Sequence, residues 1–323
     1  MSGPRPDVPL SALRVVSLPE SQLLEEVRAA APDFRCVLWD LEGEPEGCAR
    51  EDVGIAVAPY GSSRWRENPS VVAELPLLQL QSTGYDGVPE LIGERTALTS
   101  AGWVHAAGTA ELALGLILAS RRRIDRAVRQ QAEGVYRQYF SGSLADSRVT
   151  VVGLGEIGRA VVSRLEPFEV DLTRVATSAR EDERGRVHGI AELGEILPRT
   201  DVLVLALPLT RDTRHLVGAE ELAALPERSL VVNVGRGPVV DTEALTAEVC
   251  SGRLRCALDV VEPEPLPGEH PLMSAPGAIL TPHVGGSNAS YRPRMRALLL
   301  RQLELIRTGR PPEFLVQPGR LMI

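Results

Sequence analysis

The sequence predicts an α/β protein built from two doubly wound parallel-sheet domains, and three observations predict it. At 323 residues the chain exceeds the ~250–300 at which a single hydrophobic core stops growing, so two cores are expected. After the first ten residues, short apolar runs alternate with helical patterns: "LRVVSL", "SQLLEEVRAAA", "RCVLW", "VGIAVA", "LLQLQST" and "RTALTSA". A second alternating series begins at "SRVTVVGLGEIG" and continues through "DVLVLALPL", "SLVVNVGRG", "RCALDVV" and "AILTPHV". Alternation of this kind marks βαβ units, whose strands run parallel.

The intervening elements follow. Residues 104–134, "VHAAGTAELALGLILASRRRIDRAVRQQAEG", hold helix formers without proline and predict one long connecting helix, with "RRR" at 121–123 as a solvated turn of it. "SYRPRMRALLLRQLELIRTG" has a period near 3.6, ends at Gly309, and comes after the second series has closed, so it is expected to cross back onto the first domain. "RPPEFLVQPGRLMI" reads as a loosely held tail. The expected domains are 1–103 with 290–323, and 104–289.

Composition narrows the chemistry. With 44% apolar and 24% charged residues the chain reads as soluble and globular. The apolar run "ELALGLILAS" at 111–120 falls short of the ~18 residues a bilayer requires, and reads as a buried helix at a domain or subunit contact. "MSGPRPDVPL" lacks a charged start followed by an apolar run, so a cytoplasmic location is expected and no membrane partner. A net charge of −8 argues against general affinity for nucleic acid. All 35 basic residues are arginine; without lysine, Schiff-base chemistry, pyridoxal phosphate attachment and the phosphate-loop lysine are excluded. Cys36, Cys48, Cys250 and Cys256 lack Cys-x-x-Cys spacing and read as reduced thiols, with no metal site.

"VTVVGLGEIGRAVVSRL" places Gly153, Gly155 and Gly158 between a strand and an amphipathic helix, the context of a Rossmann-like dinucleotide turn. Gly153 permits the turn, Gly155 admits a pyrophosphate, and Gly158 allows helix and strand to pack closely. Glu156 and Ile157 open the helix, whose N–H groups and partial positive charge face the phosphates. Some 20 residues on, where an NAD enzyme usually carries an acid for the ribose, stand Thr177 and Ser178, followed by Arg180. Hydroxyls and a guanidinium suit a 2′-phosphate, so NADP is favoured. The alternative, in which Glu181 or Asp182 takes the ribose, restores NAD.

Seven stretches in order then resemble the D-2-hydroxyacid dehydrogenase family, especially its glyoxylate/hydroxypyruvate reductase branch. They are "STGYDGV" at 82–88, "GTAELALGLIL" at 108–118, "VVGLGEIGRAV" at 151–161, "LPLTRDTRHLVG" at 207–218, "VVNVGRGPVVDTEAL" at 231–245, "ALDVVEPEPLP" at 257–267 and "HPLMSAPGAILTPHVGGS" at 270–287. The resemblance implies a catalytic arginine, glutamate and histidine, matching Arg236, Glu264 and His283, at a cleft between a nucleotide domain and a discontinuous substrate domain. It implies contact with the nicotinamide end of the cofactor for Asp259 and Thr109, a cofactor contact for Pro208, and contact with the substrate carboxylate for Ser82, Thr83 and Gly84. It also implies a homodimer formed through the nucleotide domain.

The residue chemistry agrees with those roles. A guanidinium stays charged and offers a planar fork, so Arg236, set between two glycines read as leaving its side chain room, can grip a 2-oxo acid and polarise its carbonyl. Ketone reduction adds a proton to oxygen, and histidine is the natural donor near pH 7. Glu264 would fix the imidazole tautomer, with Pro263, Pro265 and Pro282 stiffening the backbone around the pair. His105, His188, His215 and His270 are read as structural. The chain departs from the family in carrying Glu169 where glycine is frequent, and Tyr136, with Tyr139 and Phe140 following, where tryptophan is frequent. The expected activity is reduction of a small 2-oxo acid such as glyoxylate or hydroxypyruvate to the D-2-hydroxy acid. A nucleotide-sensing co-repressor and a phosphite dehydrogenase are the alternatives.

Overall fold

A computed structural model describes residues 7–62 and 64–323; the first six residues of the decapeptide examined for a leader lie outside the described residues. The chain divides into two units, one running to His105 and resuming at Ala289–Ile323, the other Ala106–Asn288.

The first unit holds a six-stranded sheet in the order Leu315–Gln317, Ala97–Thr99, Leu77–Gln79, Ile55–Val57, Val15–Leu18, Arg35–Leu38. All neighbours are parallel except the Leu315–Gln317 edge strand. Helix Ser21–Ala30 buries Leu24 and Val27, three apart and therefore on one face. Helix Tyr291–Arg307 buries Met295, Leu298, Leu299, Leu303 and Ile306 in the same cluster as Val16, Leu18 and Val27, so the returning helix belongs to this core. The expected loose tail is instead tied down. Leu315–Gln317 pairs antiparallel with Ala97–Thr99, and Leu321–Met322 pairs with Val8–Pro9. Phe314 covers Gly102 so closely that a Cβ there would stand 2.3 Å from the ring.

In the second unit the strand order is Ala278–Leu280, Arg255–Leu258, Leu230–Asn233, Val202–Leu205, Arg148–Val152, Asp171–Ala176, Gly185–Gly189, Arg180–Asp182. Every pairing is parallel except the last, and the order of succession reverses at Arg148–Val152. Helices and loops cover both faces of the central strands, which explains their unbroken apolar runs: "VLVL" and "LVVN" are buried at every position.

The single connecting helix resolves into two, Ala106–Arg121 and Ile124–Ala132. Arg123 between them takes a left-handed φ of 54°, and its carbonyl accepts from the Tyr139 hydroxyl at 2.8 Å. The arginine triplet is thus a break, and Arg121 reaches inward to Ser143 O (2.9 Å) and Ser147 Oγ (3.0 Å) rather than standing solvated. Among the described residues one helical stretch, Gly102–Arg121, is long and apolar enough to cross a membrane; 56% of its apolar span is buried inside the protein.

The Arg180–Asp182/Gly185–Gly189 hairpin had no apolar signal because residues 177–186 are all exposed. Below it Glu192 accepts from Gly189 N–H (2.8 Å), His188 (2.7 Å) and Arg186 (2.9 Å), which together lower its pKa from 4.5 to about 2. A depressed carboxylate contributes stability that is complete above its unfolded value and lost as pH falls through its folded one. Glu192→Gln is therefore expected to lower the melting temperature at pH 7, with the difference closing as pH is taken from about 5 toward 2. A gap that stays constant in a pH series of thermal melts would contradict this.

Candidate active site

The glycine turn lies where the sheet order reverses, the position at which open α/β sheets bind ligands. Gly153 takes φ +96°, and a Cβ on it would stand 2.5 Å from Ala206 O. One on Gly158 would stand 1.7 Å from Gly153 O. A Cβ on Gly155 would meet nothing within 4 Å beyond its own chain neighbours. Two glycines thus lock the turn, and the third leaves open space above the N-terminus of helix Glu156–Leu165, where first-turn N–H groups point outward. Glu156, an acid in that first turn, is paired with Arg159, which also donates to Leu154 O at 2.9 Å. The cradle fits a dinucleotide pyrophosphate. Ile157 follows Glu156 in the same turn.

The neighbouring strand Asp171–Ala176 runs out directly into Thr177 and Ser178, both exposed, and Arg180 follows. Asp182, one of the two acids left open as ribose ligands, is committed elsewhere. Both its oxygens accept from buried Arg174 at 2.8 Å, and one accepts from Arg184 N–H at 2.9 Å. The Arg174 bonds hold its carboxyl below the ordinary range. Glu181 faces Arg186 across the hairpin. Leu154, Arg159, Arg174, Arg180 and Arg184, with Asp182 and Glu183, line a pocket of about 460 Å³.

Three adjacent strand ends carry the remaining groups. From Leu230–Asn233 comes the turn bearing Arg236, half-buried, its Nη1 donating to Gly235 O at 2.8 Å and its own carbonyl accepting from Asn233 Nδ2 at 2.9 Å. The flanking glycines serve backbone packing rather than side-chain room. A Cβ on Gly235 would meet Leu207 O at 2.6 Å, and one on Gly237 would meet Val261 O at 1.9 Å.

From Arg255–Leu258 comes Asp259, 3% exposed. Its Oδ1 accepts from Thr281 Oγ1 (2.7 Å) and Val284 N–H (2.9 Å), its Oδ2 from Gly285 N–H (2.9 Å), and its carbonyl from His283 N–H (2.8 Å). One buried carboxylate therefore clasps the loop that carries His283. Thr109, buried in the first turn of helix Ala106–Arg121, adjoins the same point: a Cβ on Gly285 would lie 3.1 Å from its Cγ2.

His283 has φ +51°, and its Nδ1 lies 2.6 Å from Glu264 Oε1. An ionised carboxylate only accepts, so Nδ1 carries the hydrogen and Nε2 is left for proton exchange. The peptide bonds Glu262–Pro263 and Glu264–Pro265 are both cis. A second pair stands beside the first, with Glu262 holding His215 Nε2 at 3.1 Å and Arg214 at 2.7 Å. Burial raises the Glu262 pKa, but these two bonds outweigh it and leave it lowered.

Arg236, Asp259, Glu264, His283 and Thr109 thus gather at one edge of the second unit. Pro208 is exposed in the loop after Val202–Leu205, its carbonyl accepting from Thr213 Oγ1 at 2.7 Å. His188 and His270 are engaged locally, with Glu192 and Leu272 N–H. Ser82, Thr83 and Gly84 lie in the first unit, past strand Leu77–Gln79. Ser82 Oγ donates to Gly84 O (2.7 Å) and Thr83 Oγ1 to Gly102 O (2.9 Å). Their backbone N–H groups make no hydrogen bond among the described residues, as a carboxylate-binding turn requires.

Residues 114–285 match the model of the D-isomer specific 2-hydroxyacid dehydrogenase NAD-binding domain. A glyoxylate reductase of Thermofilum pendens is 34% identical over 260 residues, 77% of each chain. One of Pyrococcus horikoshii is 32% identical over 307 residues, 90% of this chain and 92% of that one. The structure of a D-isomer specific 2-hydroxyacid dehydrogenase from Xanthobacter autotrophicus Py2, in complex with NADPH and MES, superposes with a TM-score of 0.80 at 27% identity, covering 95% of this chain and 98% of that one. With a glycine turn at the sheet reversal and an arginine and a histidine–glutamate pair at neighbouring strand ends, the chain belongs to the D-isomer specific 2-hydroxyacid dehydrogenases, a family of NAD(P)-dependent oxidoreductases.

Proposed function

We propose that this protein reduces a small 2-oxo acid, glyoxylate or hydroxypyruvate being the leading candidates, to the D-2-hydroxy acid, with NADPH preferred to NADH. The observation that carries the reading is the His283–Glu264 pair at 2.6 Å beside Arg236 on a neighbouring strand end. When bound, a reduced nicotinamide supplies hydride to C2. Arg236 holds the substrate carboxylate with its fork and draws electron density from the adjacent carbonyl. His283 donates the Nε2 proton to the carbonyl oxygen, and Glu264, accepting from Nδ1, keeps the ring oriented. In the first unit the N–H groups of Ser82–Gly84 form a turn of donors suited to a carboxylate, and in the second Asp259 and Thr109 would hold the nicotinamide end.

Preference for NADPH rests on Thr177, Ser178 and Arg180 at the ribose position and on the commitment of Asp182 to Arg174. Exposed Tyr136 and Phe140, with Ile124 and Val128 on the preceding helix, give a second copy of the chain its docking surface, and a cytoplasmic homodimer completes the reading.

A panel of 2-oxo acids assayed with both cofactors tests the proposal. Arg180→Glu is expected to raise KM for NADPH about ten- to hundredfold, the value of one or two charge-assisted hydrogen bonds, while changing KM for NADH little. Equal use of the two cofactors by the unaltered protein would remove the preference; tight cofactor binding without turnover of any 2-oxo acid would mean a sensor.

A further inference from the structure

Outside the residues so far given a role, the first unit contains a compact cluster of three rings. Tyr60 and Tyr291 stack with centroids 4.2 Å apart, His105 and Tyr291 at 5.3 Å, and Tyr60 and His105 at 5.4 Å, with interplanar angles of 28°, 12° and 16°. No pair is far apart, so the rings form a triangle rather than a column. His105 and Tyr291 are 6% and 9% exposed. Pairs in this offset, near-parallel arrangement are favourable beyond their buried area.

The Tyr291 hydroxyl and His105 Nε2 converge on one residue, Gln81, itself 3% exposed. Gln81 Nε2 donates to Ala58 O at 2.9 Å. A carbonyl only accepts, so the amide orientation is fixed and Oε1 faces the Tyr291 hydroxyl at 2.7 Å. Tyr291 must be the donor there. Burial, the largest cause, pushes its pKa up, with the Glu20 carboxylate adding to it, so the hydroxyl keeps its proton. His105 Nε2 lies 2.7 Å from Gln81 O, again an acceptor only, which places the ring hydrogen on Nε2.

Gln81 is the residue before Ser82. The next links run to the His105 side as well: Ala101 N–H donates to Ser82 O at 2.9 Å, and Thr83 Oγ1 donates to Gly102 O. His105 is the last residue before the chain leaves this unit, and Tyr291 stands two residues after its return at Ala289. Both crossing segments therefore grip the residue that precedes the Ser82–Gly84 turn.

We infer that His105 and Tyr291 are positioning residues for the reaction: through Gln81 they fix the Ser82–Gly84 turn so that its free N–H groups hold the geometry a substrate carboxylate requires. The inference rests on the assignment of that turn to the 2-oxo acid. Buried groups that are fully bonded specify one arrangement, whereas a missing partner leaves a buried amide unsatisfied.

Tyr291→Phe keeps the ring stack and deletes only the bond to Gln81. It is expected to raise KM for the 2-oxo acid about three- to tenfold, the worth of one hydrogen bond, with kcat and NADPH affinity nearly unchanged. His105→Phe, which also retains an aromatic ring, should act in the same sense. If Tyr291 acts through Gln81, Tyr291→Phe combined with Gln81→Met will show the KM of Gln81→Met alone; independent packing effects would multiply. Hydrogen exchange at the Ala101 amide, which reports how firmly Ser82 is held, should quicken about three- to tenfold in Tyr291→Phe whatever the substrate. A KM within twofold of the unaltered protein, multiplicative effects, or unchanged Ala101 exchange would each overturn the inference. Absence of turnover by the unaltered protein, with Ala101 exchange quickened in Tyr291→Phe, would instead count against the 2-oxo acid assignment alone.

Discussion

Replacing His283 by asparagine is expected to lower kcat for 2-oxo acid reduction by a factor on the order of 10² to 10⁴, the usual worth of a positioned proton donor. Asparagine isolates the chemistry from the backbone. His283 holds φ +51°, a left-handed conformation that asparagine adopts more readily than most residues. The loop itself is secured elsewhere, by Asp259 bonding to Thr281, Val284 and Gly285 and by its carbonyl bonding to the His283 backbone. The substitution thus deletes Nε2 while leaving an amide near the Nδ1 position that can still donate to Glu264, with the frame intact, and affinity for NADPH should stay within about twofold, since no cradle donor is removed. Steady-state kinetics with titration of cofactor fluorescence separates the two. Unaltered kcat in a folded variant removes His283 from the proton-transfer role.

Loss of Arg236 is the second large effect. The guanidinium is asked to supply two charge-assisted hydrogen bonds to a carboxylate and to polarise the neighbouring carbonyl, so Arg236→Ala should cost about 10²- to 10⁴-fold in kcat/KM. Cofactor affinity should hardly move, because the pyrophosphate cradle at Gly155 lies on a different strand end. Arg236→Lys distinguishes fork from charge: a compact ammonium keeps the attraction and loses the paired geometry, so a partial recovery is expected, well short of the arginine value. Recovery to full activity by lysine would show that charge alone suffices, and an unaffected KM in the alanine variant would place substrate binding elsewhere.

Much of the fold was legible because parallel strands covered on both faces require unbroken apolar runs, which "VTVV", "VLVL" and "LVVN" supply directly. The glycine turn was legible for a related reason, since backbone crowding at Gly153 and Gly158 excludes any side chain. Where elements rest on polar contacts at the surface, the periodicity is silent. Little in "REDERGRVHG" announces a hairpin, because Val187 is its one buried apolar side chain and its strands are otherwise held by Arg174–Asp182 and the Glu192 network. The helix break at Arg123 depends on a hydroxyl sixteen positions away, and the C-terminal strands depend on partners more than two hundred positions earlier. Glu169, set where the resemblance implies glycine, takes a left-handed φ of 57°, a conformation that glycine adopts without steric cost.

Within the site, the identities of Arg236, Glu264 and His283 were carried by motif, but the clasp formed by Asp259 was not, because apart from the Thr281 hydroxyl its partners are backbone N–H groups that no residue pattern encodes. The role of Gln81 was equally hidden. A faint signal existed: two glutamines interrupt the apolar run "LLQLQST", and Gln79 and Gln81 are both buried. A polar residue in such a run must find partners inside the protein, and pursuing those partners leads to His105, which the sequence reading left as merely structural.

The three glycines of the nucleotide turn answer to two separate selective pressures. At 153 and 158 a methyl group would collide with carbonyl oxygen, so any lineage that keeps the fold keeps glycine there, ligand or no ligand. At 155 the backbone φ is −69° and the space is open, so the protein would fold with many residues in that place. What would exclude them, on the proposed reading, is the close approach of a bound pyrophosphate. A descendant that had abandoned catalysis while retaining its architecture would betray the change first at residue 155.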